Sequence, residues 1–227
     1  MPHRMISQPL LVFDLDGTIS DPVVGIGRSI NYALAAFGYE TVPEADISHH
    51  VGPPLEQAFH RLAPGATDEV IVNLVAKYRE RYGDVGYAEN VLYEGIPEAL
   101  ASLAAIGVTM GVCTSKRVDF AERILSMFGL RGHFAFVSGG DIGIPKSRQL
   151  RALLADGAID GHAVMIGDRA VDVTAARSNS LRAVGVLWGH GTREELDGAA
   201  PDDMLEWPSE LTALPGRLVA RTAPLIR

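Results

Sequence analysis

The residues with the most chemistry in them fall into three short groups, each closing an apolar run. Leu10-Leu11-Val12-Phe13 leads into Asp14-Leu15-Asp16-Gly17-Thr18, residues 108–113 into Thr114-Ser115-Lys116, and residues 163–166 into Gly167-Asp168-Arg169-Ala170-Val171-Asp172. Further apolar runs lie at 134–137 and 183–187. A continuous apolar run suits a strand covered on both faces, as in a parallel sheet. In open α/β sheets ligands bind outside the carboxyl ends of the strands, so loops far apart in sequence converge on one crevice. Asp14, Asp16 and Asp168, joined by Asp172, would repel one another there. A hard cation relieves that repulsion, and a carboxylate set with few ligands suits Mg²⁺ better than Zn²⁺ or Ca²⁺.

The elements that must position these groups are legible in the spacing. Helical patterns at 98–106, 118–128, 148–156 and 170–178 alternate with the runs from about residue 93 onward. That alternation predicts right-handed βαβ units and a Rossmann-like parallel α/β sheet. The stretch 21–88 breaks it, with helical patterns at 27–37, 55–62 and 68–82 and no buried strand. The expected organisation is an α/β core of residues 1–20 and 88–227 carrying an inserted helical cap domain at 21–87. In the tail, 203–207 reads as an edge strand and 210–219 as a terminal helix.

Composition narrows the classes. With 227 residues, 47% of them hydrophobic and 21% charged, the chain buries enough apolar surface to exclude general disorder. A net charge of −8 argues against a nucleic acid polymer or an anionic membrane as partner. Cys113 is the single cysteine, so neither an intrachain disulfide nor a cysteine zinc site is expected, and a reducing, cytoplasmic location fits. The apolar run 9–13 is too short for a signal peptide. The uncharged stretch 99–115 is interrupted by Gly107 and Gly111 and reads as a helix end, a turn and a buried strand, not as a membrane span.

Two other motifs fail at positions they require. As a calcium loop beginning at Asp14, the sixth position would be Ile19 where glycine is needed and the twelfth Gly25 where glutamate is needed. The segment 140–147 is one residue short of a phosphate loop, and Pro145 stands where its second glycine belongs.

Asp14-Leu15-Asp16-Gly17-Thr18 after a strand, Thr114 ending a second, the isolated Lys146, and Gly167-Asp168…Asp172 after a later strand together resemble the haloacid dehalogenase superfamily. The insertion just after the first motif resembles its helical-cap (C1) subclass, which includes enzymes like phosphoglycolate phosphatase and 5′-nucleotidase. The resemblance implies a Mg²⁺-dependent phosphatase acting through an aspartyl-phosphate. Asp14 would be the nucleophile, and Asp16 would protonate the leaving oxygen and then activate water. Gly17, Ser115 and Lys116 would contact phosphate or substrate, and Thr114 would hold a phosphoryl oxygen. Lys146 would balance charge. Asp14, the Asp16 carbonyl and Asp168 would bind Mg²⁺, with Asp172 holding a metal-bound water or Lys146 from behind. The partner implied is a small phosphorylated substrate.

The order Pro145-Lys146-Ser147-Arg148 departs from the Lys-Pro-x-Pro of many phosphoglycolate-type members. Gly52-Pro53-Pro54-Leu55, Tyr78-Arg79-Glu80-Arg81-Tyr82 and Gly185-Val186-Leu187-Trp188-Gly189 look closer to the 5′-nucleotidase-like branch. The substrate expectation is therefore a nucleoside 5′-monophosphate, with phosphoglycolate next. A phosphomutase, or a phospho-ligand binding module without catalysis, carries some of the same motifs. Local alternatives stand beside each role: Asp168 as a helix N-cap, Asp172 as a first-turn acid, Lys146 as a surface lysine, Ser115 and Lys116 as caps for the following helix. Asp21, Arg28, His50 and Gly52-Pro53 are candidates for the lid mouth. Trp188-Gly189-His190-Gly191 reads as rim or as aromatic packing.

Overall fold

A computed structural model of the chain describes residues 9–51, 55–140 and 144–222. Its centre is β1 (Leu11–Phe13), whose three residues are fully buried. β1 pairs in parallel with β4 (Met110–Arg117) on one side and with β6 (Val164–Gly167) on the other. Leu11 lies level with both Met110 and Val164. β5 (Phe134–Gly140) flanks β4, while β7 (Arg182–Val186) and β8 (Asp203–Leu205) extend the other side. Among the described residues the sheet order is β5-β4-β1-β6-β7-β8, all parallel. The chain reverses its direction of travel across the sheet at β1, which makes the carboxyl ends of β1, β4 and β6 the switch point.

The two faces of the sheet follow from residue parity. Leu11 and Phe13 join Val112, Val164 and Ile166 in one apolar cluster, under α4 (Ile96–Ala105) and α5 (Val118–Met127). Val12 joins Cys113, Met165 and Ala183 in another, against α6 (Lys146–Ala155) and α7 (Ala170–Arg177). The same parity continues past β1. Leu15 is buried in the first cluster and separates Asp14 from Asp16.

The interruption of the alternation is a helical layer. α1 (Val23–Ala36) contributes Ile26, Ile30, Ala33 and Leu34 to a separate apolar cluster. α2 (Leu55–Leu62) adds Phe59. α3 (Asp68–Asp84) is capped by the Thr67 side chain accepting from Val70 N–H, and buries Ile71, Leu74, Val75, Tyr78 and Tyr82 at helical spacing. Phe120 of α5 completes this cluster from the sheet side.

Several boundaries depart from the spacing-based expectation. α1 begins at Val23, because the Asp21 carboxylate accepts the Val23 N–H at 2.9 Å and so caps the first turn. β2 (Ser20–Asp21) and β3 (Val91–Leu92) form a two-stranded antiparallel ribbon where the helical layer leaves and rejoins the sheet. Strands of two residues show no periodicity. α8 (Arg193–Ala199) lies between β7 and β8 and was not expected. The tail is a 3₁₀ turn, Pro208–Ala213, followed by α9 (Leu214–Thr222). The stretch 99–115 is divided at Gly107, which takes φ +78°, and no helix among the described residues is long and apolar enough to cross a membrane.

Candidate active site

The carboxyl ends of β1, β4 and β6 bring the first, second and third groups together. Asp14 continues β1, its N–H donating to Ile166 O at 2.8 Å. Lys146 opens α6 with its side chain almost wholly buried. A cation at a helix N-terminus opposes the helix dipole. Two carboxylates offset this: the Lys146 ammonium lies 3.0 Å from Asp14 Oδ2 and donates to Asp172 Oδ1. Asp172 is in the first turn of α7, and its other oxygen accepts the Arg169 N–H at 3.1 Å. Lys146 is therefore not a surface lysine.

Asp168 follows β6 and does not cap α7; Arg169 occupies the N-cap position. The Asp168 carboxylate instead accepts the His190 N–H at 2.8 Å and faces the Thr18 hydroxyl at 3.4 Å. Gly17 meets it closely. A Cβ on Gly17 would lie 2.2 Å from Asp168 Oδ2, and its φ of +83° belongs to glycine. The Gly17 N–H donates to Ser20 O at 2.9 Å, so it closes the turn here and is not turned outward.

Asp14, Asp168 and Asp172 each offer a carboxylate oxygen within 4.8 Å of the others, and all three are buried. Burial, together with the Asp14 charge, pushes the Asp168 carboxyl up to about 6. Burial also raises Asp172, against the opposing pull of Lys146. Burial alone would lower Lys146, but Asp14 and Asp172 outweigh it and hold the ammonium charged. Asp14 Oδ1 is a buried oxygen without a hydrogen-bond partner. A crowded set of buried hard oxygens from three carboxylates fits a small divalent cation.

Asp16 points to a different partner. Lys116 Nζ lies 2.8 Å from Asp16 Oδ2 and donates to the Tyr82 hydroxyl at 2.7 Å. Burial raises the Asp16 carboxyl above the usual carboxylate range, with Lys116 pulling the other way. Neither Ser115 nor Lys116 caps α5; the N-cap is Arg117. Ser115 is exposed, whereas Thr114 is buried and its Oγ1 accepts the Lys116 N–H at 3.2 Å.

The lid-mouth candidates separate. Asp21 meets His190 Nε2 at 3.3 Å. Arg28 is exposed and pairs with Glu89 at 2.7 Å. His50 ends the 3₁₀ turn Glu44–His50. Gly52-Pro53 lies outside the described residues, as do 141–143 of the segment compared above with a phosphate loop.

Spacing did not assign Thr18, Tyr82, Arg169, Glu195 or His190. The segment 188–191 is more than aromatic packing. Trp188 Nε1 donates to Thr18 O at 2.9 Å, and a Cβ on Gly189 would meet Gly17 O at 2.2 Å. Two glycines flanking a histidine at a strand end were the available signal. For His190, burial lowers the imidazole pKa, but Asp21 and the nearby acids outweigh it and the net direction is up. Arg169 pairs with Glu195 at 2.9 Å and donates to Val51 O in the helical layer at 2.9 Å.

The haloacid dehalogenase-like hydrolase family model matches residues 11–186. A 5′-nucleotidase of Pseudomonas aeruginosa is 38% identical over 205 residues, covering 88% of this chain and 92% of that protein. The tyrosine-protein kinase PtkA of Mycobacterium tuberculosis is 36% identical over 196 residues, 84% of this chain but 66% of that protein. Among solved structures, a predicted phosphatase from Clostridium acetobutylicum superposes with a TM-score of 0.84 at 31% identity, covering 94% of this chain and 99% of that one.

Proposed function

The chain belongs to the haloacid dehalogenase-like hydrolase family and is a phosphatase, and from that premise we propose that it hydrolyses a small phosphomonoester through a phosphoryl group carried on Asp14. The supporting observation is the state of that carboxylate: Oδ2 is held by Lys146 at 3.0 Å, while Oδ1 is buried and unbonded. A carboxylate fixed on one oxygen and free on the other is a preorganised nucleophile.

Asp14 Oδ1 attacks phosphorus, and the bond from phosphorus to the ester oxygen breaks with its electron pair leaving on that oxygen. Asp16 gives the leaving oxygen a proton. A water then loses a proton to Asp16 and attacks the phosphoryl group, releasing phosphate and restoring Asp14. Thr114 and Ser115 hold the phosphoryl oxygens, Gly17 shapes the turn beside them, Lys116 stands at Asp16 on the leaving-group side, and Lys146 offsets the charge on Asp14. Mg²⁺ held by Asp14, the Asp16 carbonyl and Asp168, with Asp172 behind them, would neutralise the negative charge shared by the carboxylates and the phosphoryl oxygens. Residues 21–87 act as a cap over a core of 1–20 and 88–227, excluding bulk water during the first step.

A nucleoside 5′-monophosphate is the substrate we favour. The 5′-nucleotidase of P. aeruginosa supports this, as does the Pro145-Lys146-Ser147 order at the start of α6. The deciding experiment is phosphate release from nucleoside 5′-monophosphates, phosphoglycolate, sugar phosphates and an aryl phosphate, with Mg²⁺ and with EDTA, beside Asp14→Asn. Turnover that needs Mg²⁺ and falls at least about a thousandfold in the variant is expected from loss of a covalent nucleophile. No turnover on any ester by folded protein would overturn the proposal.

A further inference from the structure

A polar chain runs from Asp16 through Lys116 to Tyr82, and the steps above give Tyr82 no part. The Lys116 ammonium has three N–H donors. One goes to Asp16 and one to the Tyr82 hydroxyl. Separately, Asn90 Nδ2 donates to Tyr87 O at 3.0 Å and Asn90 Oδ1 accepts from Ser20 Oγ at 3.1 Å. Ser20 lies in β2 and Asn90 directly precedes β3, so that bond ties together the two strands that join the helical layer to the sheet. Ser20, Tyr82 and Asn90 are all buried.

The Tyr82 ring is held independently of its hydroxyl. It stacks on Tyr78 at 5.4 Å and 10°, and meets the edge of Phe120 at 5.1 Å and 90°. Phenylalanine would make the same packing without burying a hydroxyl, and burying one is costly unless it is bonded. What the hydroxyl adds is a fixed position for the Lys116 ammonium. That position matters at one moment. When Asp16 has passed its proton to the leaving oxygen it is a buried anion, and the ammonium 2.8 Å away stabilises the charge that has just formed.

We propose that Tyr82 is a positioning residue for leaving-group protonation: with its ring held against Tyr78 and Phe120, its hydroxyl fixes Lys116 beside Asp16. This rests on the phosphatase reading above and deepens it. The proton moves from the Asp16 carboxyl to the ester oxygen as the phosphorus–oxygen bond breaks; Tyr82 and Lys116 exchange no proton.

The test compares kcat/KM, which covers the steps up to leaving-group release, on an alkyl ester and on p-nitrophenyl phosphate. An aryl oxide leaves without full protonation, so its cleavage depends little on Asp16. Tyr82→Phe should lose about tenfold on the alkyl ester and about twofold or less on the aryl ester, with an unchanged melting temperature. Lys116→Met should show the same contrast, and the double variant should be no worse than Lys116→Met alone. It also reads the contact from the sheet side, should Tyr82→Phe fail to fold. Equal losses on both esters, no loss, or additive losses in the double variant would overturn the inference while leaving the phosphatase reading intact. A wild type inactive on both esters, or Asp14→Asn retaining activity, would overturn both.

Discussion

Lys146 and Gly17 show what single side chains do in this crevice. The Lys146 side chain is 1% exposed and lies between Asp14 and Asp172. Lys146→Met removes the cation and leaves two buried carboxylates facing each other. That change should cost about 3–5 kcal/mol in urea denaturation, and added Mg²⁺ should restore part of it. A loss within error would mean the carboxylates are relieved by protonation or by water. Gly17 fails for a different reason. Its φ of +83° and the 2.2 Å approach of a Cβ to Asp168 Oδ2 are independent obstacles to any side chain. Gly17→Ala should cost about 1–3 kcal/mol and lower turnover about a hundredfold, because Asp168 must move. Near-normal turnover would show that Asp168 can shift without consequence.

At the scale of elements, the segment after β7 serves β6. Gly189 and His190 press on the Gly17 turn and on Asp168, and the His190 N–H supplies a hydrogen bond to the Asp168 carboxylate. Gly189→Ala would place a Cβ 2.2 Å from Gly17 O and 2.4 Å from Asp168 Cβ, with backbone on one side that cannot turn away. The expected result is about 1–3 kcal/mol of lost stability together with weaker Mg²⁺ binding, read by calorimetry. Gly198 in α8 is the contrast. A Cβ there meets nothing within 4 Å. Gly198→Ala should raise stability by about 0.5–1 kcal/mol and leave turnover alone. If both substitutions behaved alike, the close packing of 188–191 on the site would carry no functional weight.

For the molecule as a whole, the buried acids set how stability responds to pH. Asp168 ionises near 3.8 in the unfolded chain and near 6 when folded. Between those values the folded protein binds a proton that the unfolded chain has released. Stability of the metal-free protein therefore falls as pH rises through that window. His190 acts in the same direction, since its raised folded pKa gives stability below 6.5 that is lost as pH climbs past the folded value. The lowered Glu80, Glu89 and Glu210 change below their ordinary 4.5 and stay constant above it. In EDTA the melting temperature should be higher at about pH 5.5 than at about pH 7.5, by the equivalent of about 1–3 kcal/mol. Mg²⁺ should narrow the gap; Asp168→Asn should remove only part of it, because Asp172, pushed up to about 7, releases its proton in the same range. A melting temperature that rises with pH in EDTA would contradict the strained acidic cluster.

How much was legible in the chain differs by residue. The sheet was, because Leu11-Val12-Phe13 and the later apolar runs are short, continuous and followed by polar groups, a pattern that parallel strands impose by burying both faces. The meeting of Asp14, Asp168 and Asp172 followed from the same rule, since parallel strands carry their following loops to one edge. Lys146 as the first residue of α6 was placed by the tertiary structure, because a cation at a helix N-terminus is favourable only with partners that the local sequence does not contain. The β2–β3 ribbon was not legible, being two residues deep on each side. Tyr82 on Lys116 and His190 on Asp168 were not legible either. Their partners lie 34 and 22 residues away, and no local preference encodes which distant backbone or side chain a buried polar group will meet. Local periodicity determined the elements and the edge on which chemistry gathers. Only packing decided which buried donor faces which acid, because each of those choices depends on how whole elements seat against one another.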